Sequence, residues 1–245
     1  MTGTEMYQLG ERLYLLNRSL TGEGTRQTLA ILCEVLPELA VKSVLSGTRC
    51  FDWTVPDEWN VREAYIEGPD GSRVADFSDH NLHLVGYSTP IDAVMSLDDL
   101  QSHLHSNPAM PDAIPYVTSY YRRNWGFCLT ENQRKTLQPG QYHVVIDADL
   151  NPGLMHYGEL IIPGETTQEI LLSTYVCHPS MANDGLSGIV VTTALAQWVM
   201  QQPRRYTYRI LFLPETIGSI AYLSMHREEM MQKTVAGFVV TCCGD

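Results

Sequence analysis

From Asn151 to the end of the chain, apolar runs of strand character alternate with helical stretches: EILLSTYVC, DGLSGIVVTTALAQWVMQQ, YRILFLP, IGSIAYLSMHREEMMQK and AGFVVTCCGD. Strand, helix, strand, helix, strand implies a parallel sheet covered by helices on its faces. The expected fold class is α/β, a parallel or mixed sheet flanked by helices. The 44% of apolar residues and a mean hydropathy of -0.13 supply an ordinary globular core and exclude disorder as the main reading.

Upstream the texture differs. The first 45 residues read as helical: Leu29, Leu32, Val35 and Leu36 fall on one face, Thr25 is the candidate cap and Pro37 ends the helix. From about Cys50 to Leu150 come short alternating runs (REAYIEG, NLHLVGYS, YHVVIDADL) broken by GPDG, SNPAMPDAIP and QPGQ, the pattern of a β-rich insert. The expected organisation is an α/β domain of residues 1–48 and 151–245, interrupted by a β-rich domain at 49–150. Eleven of the 22 aromatic residues lie between Phe51 and Phe127. Burial in the insert's core is favoured for them over a stacking surface for sugars or peptide.

Charge narrows the partners. Asp and Glu number 28 against 16 Lys and Arg, a net charge of -12, which repels a phosphate backbone or an anionic leaflet. Neither a nucleic acid nor a membrane surface is expected as a partner. No apolar run reaches the roughly 18 residues of a membrane span, and the N-terminus MTGTEMYQLGERLY lacks a secretory signal, so a cytoplasmic protein is expected. Six scattered cysteines without a CxxC pair point to neither a disulfide nor a cysteine zinc site. The chain stops at Asp245 straight after the third strand of the alternation. A truncated product is expected, whose open sheet edge pairs with another copy as a homo-oligomer.

In an open α/β sheet, ligands gather outside the carboxyl ends of the strands. EILLSTYVC is followed by His178 and Asp184, YRILFLP by Glu215, and AGFVVTCCG by Asp245. One imidazole and three carboxylates on one rim suit a zinc-type ion with an open position for water. Each has a plainer alternative. Asp184 or Asn183 can cap the following helix, Glu215 can sit at a helix start, His178 can be a satisfied loop histidine, and Asp245 an ordinary C-terminal residue. Their joint placement after three successive strands favours the metal.

The run HPSMANDGLSG, LPETIGSIAYL and VVTCCGD, with LYLLNRSLTGEGTRQTL, LHLVGYSTP and VTSYYRRNWGFCL upstream, resembles zinc aminopeptidases of the M28 kind. In particular it is similar to bacterial aminopeptidase-like proteins associated with polysaccharide biosynthesis, of the DUF4910/DUF2172 type, over nearly the whole chain. The resemblance implies a zinc-exopeptidase-like fold. It also implies roles: His178 as the first histidine ligand, Asp184 as the aspartate bridging two metals, Glu215 as general base and Asp245 as an aspartate ligand. Three departures matter. Thr216 stands where the family places a second glutamate, Ser180 where an aspartate orients the first histidine, and the final histidine ligand falls beyond this chain. One zinc ion is therefore expected at most.

Other motifs lead nowhere. His80, His83, His103 and His105 suit solvent-facing strand or loop positions, and no GxxxxGK[ST], GxGxxG or GxSxG element is present. Cys177 is expected to point away from His178 across the pleat, as a core residue. The leading expectation is a metal-dependent hydrolase acting on a small peptide or another amide-containing substrate. The alternative is a non-catalytic scaffold of peptidase fold, holding a glycan precursor, peptide or partner.

Overall fold

The computed structural model describes residues 1–243. The chain divides into two compact units, Met1–Glu58 with the chain from Pro152 onward, and Trp59–Asn151.

In the first unit, helix α1 (Gly3–Tyr14) opens on a capping box. The Thr2 hydroxyl accepts the Glu5 N–H at 3.3 Å and the Glu5 carboxylate accepts the Thr2 N–H at 2.6 Å. This satisfies donors that a helix start otherwise leaves without partners. Helix α2 (Glu23–Val35) buries Leu29 and Leu32. It starts ahead of Thr25, the expected cap, because Gly22 at φ 94 turns the chain first. Thr25 lies buried inside the helix, where its hydroxyl donates to the Ser19 carbonyl at 2.6 Å. Residues 40–45, expected to belong to a helical region, instead form strand β1 (Ala40–Leu45). Only Val44 of this edge strand is buried, so little apolar pattern marks it.

The remaining elements of this unit are β2 (Leu154–Ile162), β3 (Glu169–Tyr175), α3 (Ser187–Met200), β4 (Thr207–Leu213), α4 (Ile217–Lys233) and β5 (Thr234–Val239). They build a mixed sheet in the order β1-β2-β4-β3-β5. The β4-β3-β5 strands are parallel, whereas β1 and β2, and β2 and β4, pair antiparallel. The fold is thus α/β, with a mixed sheet and flanking helices.

Pleat alternation gives the sheet two different faces. Leu160, Ile162, Leu172, Ile210 and Phe212 pack with Leu9, Leu13, Leu29, Leu32, Ile189 and Val199 in one apolar core. Neighbouring positions carry Glu159, Glu169 and Arg209, all buried. Arg209 donates to Glu169 at 2.7 and 2.9 Å, to Glu159 at 3.0 Å and to the Tyr222 hydroxyl of α4 at 2.7 Å. Lys42 of β1 and Tyr222 donate to Glu159 as well. Burial pushes the Glu159 carboxyl up, but these hydrogen bonds and the charges of Lys42 and Arg209 outweigh it and leave it below its ordinary value of 4.5.

In the unit Trp59–Asn151 a four-stranded sheet runs in the order Arg73–Asp76, Glu58–Glu67, Gln141–Asn151, Ile91–Ser96. Trp59, Tyr87, Phe127 and Tyr142 are buried. Trp59 stacks on Tyr87 with centroids 5.7 Å apart, and its indole N–H donates to the Ser88 carbonyl at 2.9 Å. The solvent-facing assignment of His83 is corrected: it is buried, with Nδ1 2.7 Å from the Cys128 carbonyl. His103 is half-buried and stacks on Trp125 at 3.6 Å. Among the described residues, no helix is long and apolar enough to cross a membrane.

Removing the guanidinium leaves Glu159 and Glu169 buried without their main partner. Arg209→Met is expected to cost about 3–5 kcal/mol in urea unfolding; a loss under ~1 kcal/mol contradicts this account of the polar face. Because Glu159 has a depressed pKa, its stabilising contribution is present above its unfolded value and disappears as pH falls through the folded one. Wild-type stability is expected to drop below pH 4.5, and more steeply than that of the variant.

Candidate metal centre

Parallel pairing of β3 and β4 brings Tyr175 opposite Leu213, the last residue of each strand. The Val176 N–H still reaches the Leu213 carbonyl, at 2.9 Å. His178 and Glu215 follow within three residues, so both emerge at the carboxyl end of the sheet. Their side chains meet with Nε2 to Oε2 at 3.4 Å. His178 is buried, whereas half of the Glu215 side chain faces solvent.

Asp184 arrives on a wide helical turn, Ala182–Leu186, ahead of α3. Gly185 at φ 92 shapes this turn, and a Cβ there would lie 3.3 Å from the His178 Cβ and 3.4 Å from the Tyr175 ring. Glycine is required for the loop to lie this close. The Tyr175 hydroxyl donates to Asp184 Oδ1 and accepts from the Thr241 hydroxyl. Burial and the Asp184 charge both raise the Tyr175 pKa, so the phenol keeps its proton. Neither carboxylate is used as a helix cap: the N-caps of α3 and α4 are Leu186 and Thr216, and neither makes a side-chain capping bond.

Burial lowers the His178 pKa, Arg18 adds to that effect, and the carboxylates of Asp184 and Glu215 oppose it. The net direction keeps the imidazole neutral, the form that offers a lone pair to a cation. Arg18 is itself buried. Its Nε donates to the His178 carbonyl at 2.9 Å and Nη1 to the Leu13 carbonyl, which fixes the backbone that carries the imidazole. Burial pulls the Arg18 pKa down to about 10.

Cys177 joins the centre against the pleat argument. β3 ends at Tyr175, so strand alternation no longer governs its direction, and Sγ lies 3.9 Å from His178 Nδ1. Sγ also accepts the Glu215 N–H at 3.1 Å. The core assignment itself agrees with the structure, since Cys177 is fully buried. Burial pushes its thiol up to about 12, far from a nucleophilic thiolate. Ligand atoms of Cys177, His178 and Glu215 lie within 4.8 Å of one another, the one such cluster among the described residues.

The expected residues therefore fall as follows. His178 and Glu215 are in contact, Asp184 is not part of the cluster within 4.8 Å and is linked to His178 through the Tyr175 ring and its charge, and Asp245 lies outside the described residues. At the departures, the backbone N–H and hydroxyl of Ser180 both donate to the Tyr14 carbonyl at 3.1 Å, so Ser180 does not orient the imidazole. Ser180 and Thr216 adopt φ 44 and 56. For the β-branched Thr216 this is a strained conformation, of a kind that costs ~1–3 kcal/mol. Sequence reasoning missed Tyr175, which reads as an ordinary strand aromatic, and Arg18, which reads as a surface cation.

The fold defines a class, an α/β domain with a mixed sheet flanked by helices and candidate metal donors at one rim, and comparison with known proteins agrees on that fold. Residues 7–245 match the family described as "Domain of unknown function (DUF4910)", and the chain belongs to it. It is 48% identical over 244 residues to a Clostridium acetobutylicum protein named "Putative polysaccharide biosynthesis protein with aminopeptidase-like domain". The match covers 100% of this chain and 56% of that relative, so the chain spans about half its length. A crystal structure from Clostridium acetobutylicum, named "putative peptidase", superposes with a TM-score of 0.96 at 48% identity, covering 99% of this chain and 57% of that one. A zinc aminopeptidase from Bacillus subtilis gives a TM-score of 0.64 at 11% identity, over 98% of this chain and 69% of that one. An M28 peptidase precursor from Shewanella amazonensis gives 0.60 at 12% identity, over 95% and 69%. These last two show that the fold is that of M28 aminopeptidases.

Alkylation checks the thiol assignment. Native protein at neutral pH is expected to react with iodoacetamide at the exposed Cys242 and to leave Cys177 unmodified until it unfolds. Rapid native modification of Cys177 contradicts it.

Proposed function

We propose that this chain is a metal-dependent hydrolase of N-terminal peptide or related amide bonds, with one zinc ion. The supporting observation is the contact of His178 with Glu215 at the end of two parallel strands, with Asp184 on the next loop. The donors fit such an ion chemically: a neutral imidazole and carboxylates that no helix end consumes. His178, Asp184 and Asp245 would hold it. When bound, zinc supplies Lewis acidity towards water and towards an amide carbonyl.

The chain's own residues do the rest. Glu215, half exposed and next to His178, takes a proton from the attacking water and returns it to the departing amine as the C–N bond breaks. Arg18 and Tyr175 hold the His178 backbone and the Asp184 carboxylate. Beside the rim, an open apolar groove of about 720 Å³ lined by Met6, Tyr14, Leu15, Ala182 and Leu186 suits an apolar side chain of the substrate. The link to polysaccharide biosynthesis comes from the name of the Clostridium relative and makes an amide-bearing glycan precursor one substrate to test.

Metal analysis of protein purified without added zinc tests the proposal. One ion per chain is expected, lost in His178→Ala. Glu215→Gln is expected to keep the ion and lose ~10²–10⁴-fold of its aminoacyl-amide turnover. No ion at any stoichiometry, with no turnover, contradicts the hydrolase and leaves the scaffold alternative, which Thr216 and the diverted Ser180 favour.

A further inference from the structure

Among the described residues, Asp184 is held on one side. Both hydrogen bonds it accepts among the described residues fall on Oδ1, from the Tyr175 hydroxyl and, at 4.0 Å, from the Cys242 thiol. The phenol is itself fixed, because the Thr241 hydroxyl donates to it. Tyr175 closes β3 and Thr241 follows β5, so the relay joins the ends of two neighbouring parallel strands. The same tyrosine ring stands edge-on to the His178 ring, with centroids 4.8 Å apart. Gly185 lets the Asp184 loop lie against both rings without a Cβ between them.

We propose that Tyr175 is a positioning residue of the metal centre: its hydroxyl occupies Oδ1 of Asp184, fixes the carboxylate, and presents the other oxygen to a single cation. A carboxylate that bridges two cations needs one oxygen for each. An oxygen already accepting a phenolic proton has less electron density to give a second ion. The tyrosine thus adds a reason, independent of Thr216, for a site of one ion. It also ties Asp184 to His178, since one ring braces both. This inference rests on the metal reading above, and its test separates the two.

Zinc is titrated calorimetrically into the metal-free full chain as wild type, Tyr175→Phe and Thr241→Val, at neutral pH, and the thermal midpoint of each metal-free protein is recorded. Wild type is expected to bind one zinc per chain. Tyr175→Phe is expected to lose roughly 10–100-fold in zinc affinity, the usual effect of removing a partner that orients a ligand. Its metal-free midpoint is expected to stay close to wild type. Thr241→Val leaves the phenol in place but unanchored, and is expected to lose affinity in the same direction by a smaller factor. It also serves as the test if Tyr175→Phe fails to fold. Zinc bound by wild type and equally well by the variants overturns this inference alone. A variant whose midpoint falls while its affinity holds also overturns it, since that is a purely structural role. No zinc on wild type overturns the metal reading and takes this inference with it.

Discussion

The parallel pairing of β3 with β4 is the constraint from which the centre follows. Its register places Tyr175 level with Leu213, and a few residues later His178 and Glu215 leave the sheet at the same height. A slip of one residue would turn alternate side chains to the opposite face. It would break the apolar core and the Arg209 network together, so the register is specified from both sides of the sheet. The rim inherits that precision without spending any of its own residues on it.

The two faces hold the sheet in different ways. On one, Leu160, Ile162, Ile210 and Phe212 bury area against α1, α2 and α3, an interaction that sets no direction. On the other, Arg209 meets Glu159, Glu169 and Tyr222 in bonds of fixed geometry, spanning β2, β3, β4 and α4. A buried ionic cluster is weak evidence for net stability, because desolvation offsets much of the attraction. What it supplies here is discrimination, since each wrong arrangement of these strands leaves a charge buried without a partner.

Much of this architecture was legible. β3 and β4 read as continuous apolar runs because their faces are largely covered, whereas the equally apolar β5 is mostly exposed, and the helices between the strands were marked by length. β1 was not legible: an edge strand with one buried residue carries almost no pattern. Thr25 misled because a capping residue type is also a good internal hydrogen-bonder, and the turn at Gly22 comes from a backbone conformation rather than a side-chain signal. At the centre, His178, Asp184 and Glu215 stood out because each follows a strand. Cys177, Tyr175 and Arg18 did not, since their roles depend on where β3 stops and on a carbonyl 160 residues away in sequence. Candidate ligands are written in the sequence by type and spacing, while the groups that hold them are set by tertiary contact.

Zinc-edge anomalous diffraction from crystals of this chain soaked in zinc tests the central claim most directly. The account predicts one peak at the carboxyl end of β3, about 2.0–2.2 Å from a His178 ring nitrogen and from a single Asp184 oxygen. A rim without a peak, or zinc bound only at surface histidines elsewhere, contradicts it.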